Sequence, residues 1–139
     1  MTLTLDLTAD PDPEELALLG QSLAAFNAGE VGPAGRQLLA IFVRNPQGMV
    51  EGGLSGYTAW GWLYVQWLWL AGAHRGQGLA GRLLAMAEAE ARDRGCHGAY
   101  IDTFNPQALA AYKKAGYSVF GELPDFPRGR TRYFLSKAL

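Results

Sequence analysis

A glycine-rich stretch in the middle of the chain has residue types that could bind an anionic group. Arg75 is followed by Gly76, Gly78 and Gly81, directly ahead of a segment with helical periodicity. Successive backbone N–H groups at a helix N-terminus attract anions, and glycine lets a phosphate approach the main chain. Together with the arginine, these features favour a pyrophosphate site over a plain strand-to-helix turn.

The same glycines match the GxGxxG spacing of a dinucleotide-binding protein, and Asp102 follows 21 residues after Gly81, near the position of a ribose-binding acid. In that fold, however, the first glycine follows the strand almost directly, whereas residues 71–75 intervene here. Only 37 residues follow Asp102, too few for the further βα repeats that such a fold needs. A nicotinamide-cofactor protein is therefore only a minor alternative.

Hydrophobic periodicity and turn residues predict the element order β-α-β-β-β-α-β-α-β-β. Strands are expected over residues 1–7, 38–44, 49–60, 62–70, 99–104, 117–123 and 131–135. Helices are expected from Pro13, capped by Asp12 and stopped by Gly29, and over residues 79–94 and 107–115. The three strands between residues 38 and 70 predict an antiparallel meander, and the 62–104 segment predicts a right-handed βαβ unit with parallel strands.

Length and composition predict a single globular domain over residues 1–139, with 49% apolar and 18% charged residues. The only cysteine, Cys96, excludes a disulfide framework, and with His74 and His97 as the only histidines no metal site is expected. Neither a signal peptide nor a membrane span is evident, so a cytoplasmic location is expected.

The net charge of −1 argues against a nucleic-acid partner. The charge is uneven, since residues 1–74 carry two basic and seven acidic residues (−5), and residues 75–139 carry ten and six (+4). A basic C-terminal half suits a small anionic ligand, although chance could also partition solvated charges in this way.

Two clusters of large side chains have both a functional and a structural interpretation. Four tryptophans fall within ten residues, with Trp67 and Trp69 expected on one face of their strand and Trp60 and Trp62 on the other. They could form an aromatic wall for an apolar or cationic acceptor, or the core of the sheet with or without a dimer face. Three arginines at alternate positions could contact a phosphate or an acidic acceptor. They could instead lie on a solvated edge strand and protect it from aggregation. They are Arg128, Arg130 and Arg132.

Two motifs together carry a family resemblance. Arg75, Gly78 and Ala80 fit [RQ]-x-x-G-x-[GA], and residues 105–117 are similar to N-x-x-A-x-x-x-Y-x-K-x-G-[FY]. With both in order and correctly spaced, the chain resembles the GCN5-related N-acetyltransferases, which transfer an acetyl group from acetyl-CoA to an amine. Small bacterial members with one helix before the meander are the most similar. The resemblance implies an α/β (α+β) acyltransferase fold, whose mixed central sheet has an antiparallel N-terminal meander and one parallel βαβ unit at the cofactor cleft.

The resemblance also implies the roles of individual residues. The pantetheine arm would lie between two splaying strands, near Ile101. Backbone N–H groups near Leu68 to Leu70 would bind the acetyl carbonyl and then stabilise an oxyanion by about 3–4 kcal/mol. The cofactor-binding residues implied are Leu68, Trp69, Leu70, Arg75, Gly76, Gln77, Gly78, Leu79, Ala80, Gly81, Arg82, Asn105, Ala108 and Tyr112. Asn105 would contact the pantetheine arm, cap the following helix, or do both.

Tyr112 is the expected general acid of this reaction. A phenol with a reference pKa near 10 is suited to protonate the departing thiolate, whose acid has a pKa of about 8.5. The structural alternative for Tyr112 is a core aromatic residue.

The general base is left open. Some members of the family that the chain resembles carry a carboxylate on the strand equivalent to 62–70. Here the 62–70 strand contains none, and Gln66 stands where the resemblance would place one. Glu51, Asp102, Glu122 or a water molecule could accept the proton.

The expected partners are acetyl-CoA and an unidentified primary amine on a small molecule or peptide. Transfer of a longer acyl group, a homodimer, and an acyl-CoA-binding domain without catalysis remain open alternatives.

Overall fold

The computed structural model describes residues 2–139 and divides into two compact units, one ending at Ala34 and the other spanning Gly35–Leu139. The N-terminal unit contains helix α1 (Pro13–Val31). The larger unit contains β1 (Gln37–Arg44), β2 (Val50–Ala59), β3 (Trp62–Leu70), a 3₁₀ turn (Gly72–His74), α2 (Leu79–Asp93), β4 (Gly98–Thr103), α3 (Pro106–Lys114), β5 (Ser118–Pro124) and β6 (Thr131–Ala138).

Helix α1 begins where the sequence predicts and ends later than predicted. The Oδ1 atom of Asp12 caps the helix by accepting a hydrogen bond from the N–H of Glu14 at 2.8 Å. The predicted stop at Gly29 is wrong, because a glycine inside a helix costs only about 1 kcal/mol. Gly32 ends the helix instead, with a φ of +88° that suits a glycine after the last turn.

The strand predicted over residues 1–7 is also wrong. Met1 lies outside the described residues, and Thr2–Leu7 have no regular secondary structure. Alternating leucines give an extended segment one apolar face. A strand forms only where a neighbouring strand also takes up its backbone hydrogen bonds, and a sequence pattern does not report whether that neighbour is present.

The larger unit is built on a six-stranded sheet with the order β1-β2-β3-β4-β6-β5. The strands β1, β2 and β3 pair antiparallel as a meander, and β3 pairs parallel with β4. The predicted meander and the predicted parallel pairing are therefore confirmed. The strand β6 lies inside the sheet, between β4 and β5, and pairs antiparallel with each of them.

Glycines in β2 allow the meander to pack closely. A Cβ atom at Gly56 would lie 1.9 Å from the carbonyl oxygen of Tyr64, and one at Gly53 would lie 2.3 Å from that of Ile41. These positions therefore require glycine, although glycine in a strand normally weakens it.

Alternation along the strands divides the sheet into two faces. Helices α2 and α3 pack on the face that carries the buried side chains of Leu63, Val65 and Ile101. The opposite face carries the side chains of the residues that alternate with these along each strand. We call it the aromatic face; it is formed by Phe42, Tyr57, Trp62, Tyr64, Trp67, Trp69, Tyr100 and Phe134.

A buried ion pair joins α2 to the C-terminal strand. Glu88 is 3% exposed, and its carboxylate accepts hydrogen bonds from the Tyr117 hydroxyl at 3.0 Å and from the Lys137 Nζ at 2.7 Å. The same Nζ donates to the carbonyl of Ala115 at 2.9 Å. Removal of Glu88 leaves the buried Tyr117 hydroxyl without its acceptor and the partly buried Lys137 ammonium without its charge partner.

We therefore expect Glu88→Ala to lower the free energy of unfolding by about 3–5 kcal/mol, the usual cost of breaking a buried pair. Glu90→Ala is the matched control, because Glu90 pairs with Arg94 on the surface of the same helix and is 49% exposed. Its cost is expected to be below about 1 kcal/mol. Urea denaturation of both variants measures the difference, and equal losses would show that the Glu88 network contributes no more than a surface pair.

Candidate active site

A gap opens in the sheet between the parallel strands β3 and β4. They pair only from Trp62 opposite Gly98 to Val65 opposite Ile101. Beyond that point β3 continues to Leu70 and β4 to Thr103, and the described residues show no further pairing between them. Residues Leu68–Leu70, predicted to hold the acetyl carbonyl, therefore lie along one wall of this cleft.

A β-bulge at Gln66 marks the beginning of the cleft. Val65 pairs with Gly56 and Trp67 with Ser55, so Gln66 is an extra residue in β3. A bulge bends its strand and leaves the extra residue out of the ladder. Gln66 thus stands at the mouth of the cleft, where its amide cannot serve as a base.

The bulge also reverses the expected arrangement of the tryptophans. Because one residue is inserted between them, Trp62 shares a face with Trp67 and Trp69, and the prediction of opposite faces is wrong. Trp60 lies in the turn before β3. These four side chains are between 37% and 67% exposed, so the interpretation as sheet core is wrong as well.

The glycine loop lies between the cleft and helix α2. Gly78 is the N-cap residue of α2, with a φ of +78°, and Gly76 has a φ of +74°. Cβ atoms built at Gly76, Gly78 and Gly81 would meet no atom within 4 Å, so the main chain is open to an approaching group. The N–H of Arg82 donates the first hydrogen bond of the helix to the carbonyl of Gly78. The N–H groups of residues 79–81 therefore have no acceptor within the helix and can bind an anion.

Two side chains hold this loop in place, one against the end of β3 and one against the 3₁₀ turn. The Nε atom of Arg75 donates to the carbonyl of Leu70 at 2.9 Å, and the Nε2 atom of Gln77 donates to the carbonyl of Ala73 at 3.0 Å. Arg75 therefore ties the loop to the wall of the cleft. Arg82, in the first turn of α2, is exposed and can contribute charge to the same region.

Helix α3 lies next to β4 and carries the second predicted motif. Asn105 is its N-cap residue, since its Oδ1 accepts hydrogen bonds from the N–H groups of Gln107 at 2.9 Å and Ala108 at 3.1 Å. The capping role is thus observed. Ala108 packs at the edge of the core, and Tyr112 is 5% exposed within it.

The Tyr112 phenol is held in its protonated form. Burial, and next the negative charge of Asp102, raise its pKa to about 12. Tyr112 is therefore a core residue whose phenol stays protonated at neutral pH, and its role as the general acid stays a prediction.

Asp102 is the centre of a polar cluster on the aromatic face. Its Oδ2 accepts a hydrogen bond from the Tyr64 hydroxyl at 3.0 Å, and its Oδ1 accepts one from the Nε of Arg132 at 2.9 Å, with the Nη2 of Arg132 also in contact. The Tyr64 ring stacks on Tyr100 with 4.6 Å between centroids. Burial and the hydrogen bond to Asp102 raise the pKa of Tyr64 to about 12.

The other two carboxylates considered as bases lie elsewhere. Glu51 contacts the Nε2 of His74 and accepts a hydrogen bond from Asn45 at 3.0 Å, and these bonds hold its pKa below the usual value. The pair joins the start of β2 to the turn ahead of the glycine loop. Glu122 is exposed on the outer strand β5.

The three alternating arginines do not form a solvated edge strand. Arg132 lies on β6, inside the sheet, and pairs with Asp102. Arg128 and Arg130 precede β6, and Arg130 donates to the carbonyl of Phe104 at 3.3 Å, directly after β4. Arginines from this segment therefore reach the end of the strand that carries Asp102.

Sequence reasoning missed Tyr64 and His74 as members of these clusters. The parallel pairing of β3 with β4 brings Tyr64 near Asp102, and the predicted βαβ unit contained that signal. The contact of His74 with Glu51 depends on the path of the 3₁₀ turn, for which the sequence has no local signal.

Two features are absent from residues 2–139. No group of three His, Cys, Asp or Glu side chains is arranged to hold a metal ion. None of the helices in this range is long and apolar enough to cross a membrane.

The mixed sheet, with one parallel pair that splays beside a glycine loop, is the architecture that the resemblance to acetyltransferases implies, and comparisons with known proteins agree with it. The family model described as Acetyltransferase (GNAT) family matches residues 9–117. The chain is 45% identical to an acetyltransferase of Agrobacterium fabrum, covering 99% of this chain and 98% of that protein. It is 39% identical to the blasticidin-S acetyltransferase of Streptomyces morookaense, covering 74% and 76%.

A solved structure shows the same architecture. The crystal structure of an acetyltransferase from Agrobacterium tumefaciens is 44% identical, covers 99% of this chain and 100% of that one, and superposes with a TM-score of 0.94. The chain belongs to the GNAT family of acetyltransferases and is an enzyme of that class. The dinucleotide-binding alternative is therefore wrong.

Proposed function

We propose that this enzyme transfers the acetyl group of acetyl-CoA directly to a primary amine of a small molecule. The observation that carries the proposal is the continuity of the cleft with the glycine loop. Open main-chain N–H groups at the start of α2 suit the pyrophosphate, and the cleft between β3 and β4 suits the pantetheine arm. We propose Leu68, Trp69, Leu70 and the 75–82 segment as cofactor-binding residues, together with Asn105, Ala108 and Tyr112.

In the proposed reaction, groups on the two sides of the cleft act on the thioester. The neutral amine attacks the thioester carbonyl, a C–N bond forms, and the carbonyl oxygen becomes an oxyanion stabilised by main-chain N–H groups near Leu68–Leu70. Collapse of the intermediate breaks the C–S bond. Tyr112 then donates its proton to the departing thiolate, and the proton lost by the amine leaves through the general base.

Among the carboxylates considered, we propose that Asp102 faces the acceptor amine. It follows Ile101, where the pairing of β3 and β4 ends, and it lies on the aromatic face. Tyr64 and Arg132 hold its two oxygens in place. An anchored carboxylate at this point can orient an ammonium group and accept its proton, directly or through water.

The acceptor is proposed to be a small molecule rather than a peptide. Blasticidin-S acetyltransferase, the relative 39% identical to this chain, is named for a small-molecule substrate. The exposed rings of Trp67 and Trp69, on the face that carries Asp102, offer a flat surface for a cationic or apolar acceptor.

A thiol-release assay with acetyl-CoA tests this function. Polyamines, amino acids, aminoglycosides, nucleoside antibiotics and peptide N-termini are supplied one at a time, with longer acyl-CoA donors as comparison. We expect acetyl-CoA and a small-molecule amine to give the highest turnover. Tight binding of acetyl-CoA without thiol release from any amine would instead support a binding domain without catalysis. Fractionation of the source cells tests the expected cytoplasmic location.

The affinity for CoA is expected to fall as the salt concentration rises. The pyrophosphate is doubly charged, and the exposed Arg82 is in the first turn of α2, where salt screens its attraction. Arg82→Gln should weaken binding at low salt and flatten the salt dependence in calorimetry, whereas Arg92→Gln, in the last turn of the same helix, should leave both unchanged. An affinity that does not vary with salt would contradict the placement of the phosphates.

A further inference from the structure

The N-terminal arm, residues 2–34, has apolar side chains that need to be covered. None of the residues of α1 is buried, and Leu16, Leu19, Leu23 and Phe26 are between 56% and 69% exposed. They recur at helical spacing and so form one stripe. Most of the stability of a helix in a protein comes from packing such a stripe. Patches of this kind mark interaction surfaces.

The segment ahead of α1 has the pattern of a strand without a paired neighbour. Leu3, Leu5 and Leu7 alternate with polar residues and are 81%, 98% and 103% exposed. The residues Thr2–Leu7 have no regular secondary structure. Their backbone groups are therefore available to a sheet edge.

The sheet offers such an edge at β1. This strand pairs with β2 and is the first strand of the sheet. It is eight residues long and contains no proline, and Leu38 and Phe42 on its aromatic face are 72% and 57% exposed. The opposite edge, β5, has a register shift near Gly121 and ends in Pro124. Bulges and prolines protect an edge from pairing, and β1 lacks this protection along most of its length.

Charge supports the match between the arm and this sheet. Residues 1–34 carry six carboxylates and no arginine or lysine, which gives −6. Residues 35–139 carry the remaining seven carboxylates and all twelve basic residues, which gives +5. Opposite charges of this size favour association and guide its orientation.

We propose that two copies of this chain exchange their N-terminal arms, so that Thr2–Leu7 of one copy pairs with the β1 edge of the other and α1 covers the exposed Leu38 and Phe42 beside that edge. The occupant of this surface is a second copy, since the arm supplies the unpaired strand, the apolar stripe and the complementary charge. The inference rests on exposure, edge geometry and charge, and does not depend on the proposed reaction.

The mass in solution is the first test. Light scattering is expected to give about twice the chain mass of 15.0 kDa for the full chain. The variant carrying Leu19→Asp and Leu23→Asp is expected to be a monomer, whereas Met86→Asp, a matched exposed position on α2 (57% exposed), should remain a dimer. A monomeric full chain, or a dimer that survives the paired aspartates, would overturn the proposal.

A cross-link distinguishes exchange from simple contact between two copies. In a Cys96→Ala background, Thr4→Cys is placed in one copy and Ala40→Cys, on β1, in a copy with a different tag. After the copies are unfolded and refolded together, we expect a disulfide that joins the two tagged chains. If oxidation links these cysteines only when one chain carries both, at the mass of a monomer, each arm pairs with its own chain and exchange is wrong.

Discussion

Tyr112→Phe is expected to lower kcat by about 10²- to 10⁴-fold with little change in the affinity for acetyl-CoA. The ring fills the same buried site in the core, so folding and cofactor binding should persist. What is lost is the proton for the departing thiolate. A loss in kcat without a loss in binding is typical of an interaction made mainly in the transition state.

The raised pKa of Tyr112 defines the expected pH dependence. A proton donor is active while it is protonated, and a pKa of about 12 keeps this phenol protonated throughout the neutral range. Titration of Tyr112 should therefore cause no loss of activity below about pH 11. Any falling limb of activity near neutral pH must come from another group.

Tyr117→Phe is the matched control, because Tyr117 is also a buried tyrosine and its hydroxyl bonds to Glu88. We expect this variant to lose stability and to keep its kcat. If Tyr112→Phe retains full turnover with a good acceptor, the thiolate takes its proton from water. Tyr112 would then have only a core role, and the cofactor site would be unaffected.

The second large effect is expected from Gly78→Glu, which should reduce the affinity for CoA by at least about 100-fold. The side chain would occupy the open space in front of the main-chain N–H groups, and its negative charge would repel the pyrophosphate. Calorimetry with CoA measures the loss directly. Unchanged affinity would mean that the phosphates bind elsewhere.

Gly95→Glu controls for backbone strain. Gly95 follows the opposite end of α2, has a φ of +84° and also has open space around its Cβ position. A non-glycine residue is strained at both positions to a similar degree. We therefore expect equal losses of stability in the two variants, and a loss of CoA affinity in Gly78→Glu alone.

Much of the fold could be predicted because local signals and long-range pairing agree. The bounds of β3 were predicted without error, and those of α2 and β1 to within one residue, because apolar periodicity and turn residues coincide at their ends. The parallel pairing of β3 with β4 follows from the helical crossover that connects them. The glycine loop and the α3 motif lie on the elements where the sequence placed them.

The failures come from features that a periodic pattern does not contain. One extra residue, Gln66, moved Trp67 and Trp69 to the face of Trp62, because the period of a strand is two. The alternation at Leu3, Leu5 and Leu7 reports an apolar face but not the presence of a paired strand. The position of β6 between β4 and β5 placed Arg132 beside Asp102 instead of at an edge.

The most direct test of acetyl transfer is to quantify, in one reaction, the thiol released from acetyl-CoA and the acetylated amine by mass spectrometry. We predict equal amounts of the two products, formed at the same rate, with both rates reduced together in Tyr112→Phe. Release of thiol with no acetylated amine, or binding of acetyl-CoA with no release above the rate without enzyme, would contradict the account.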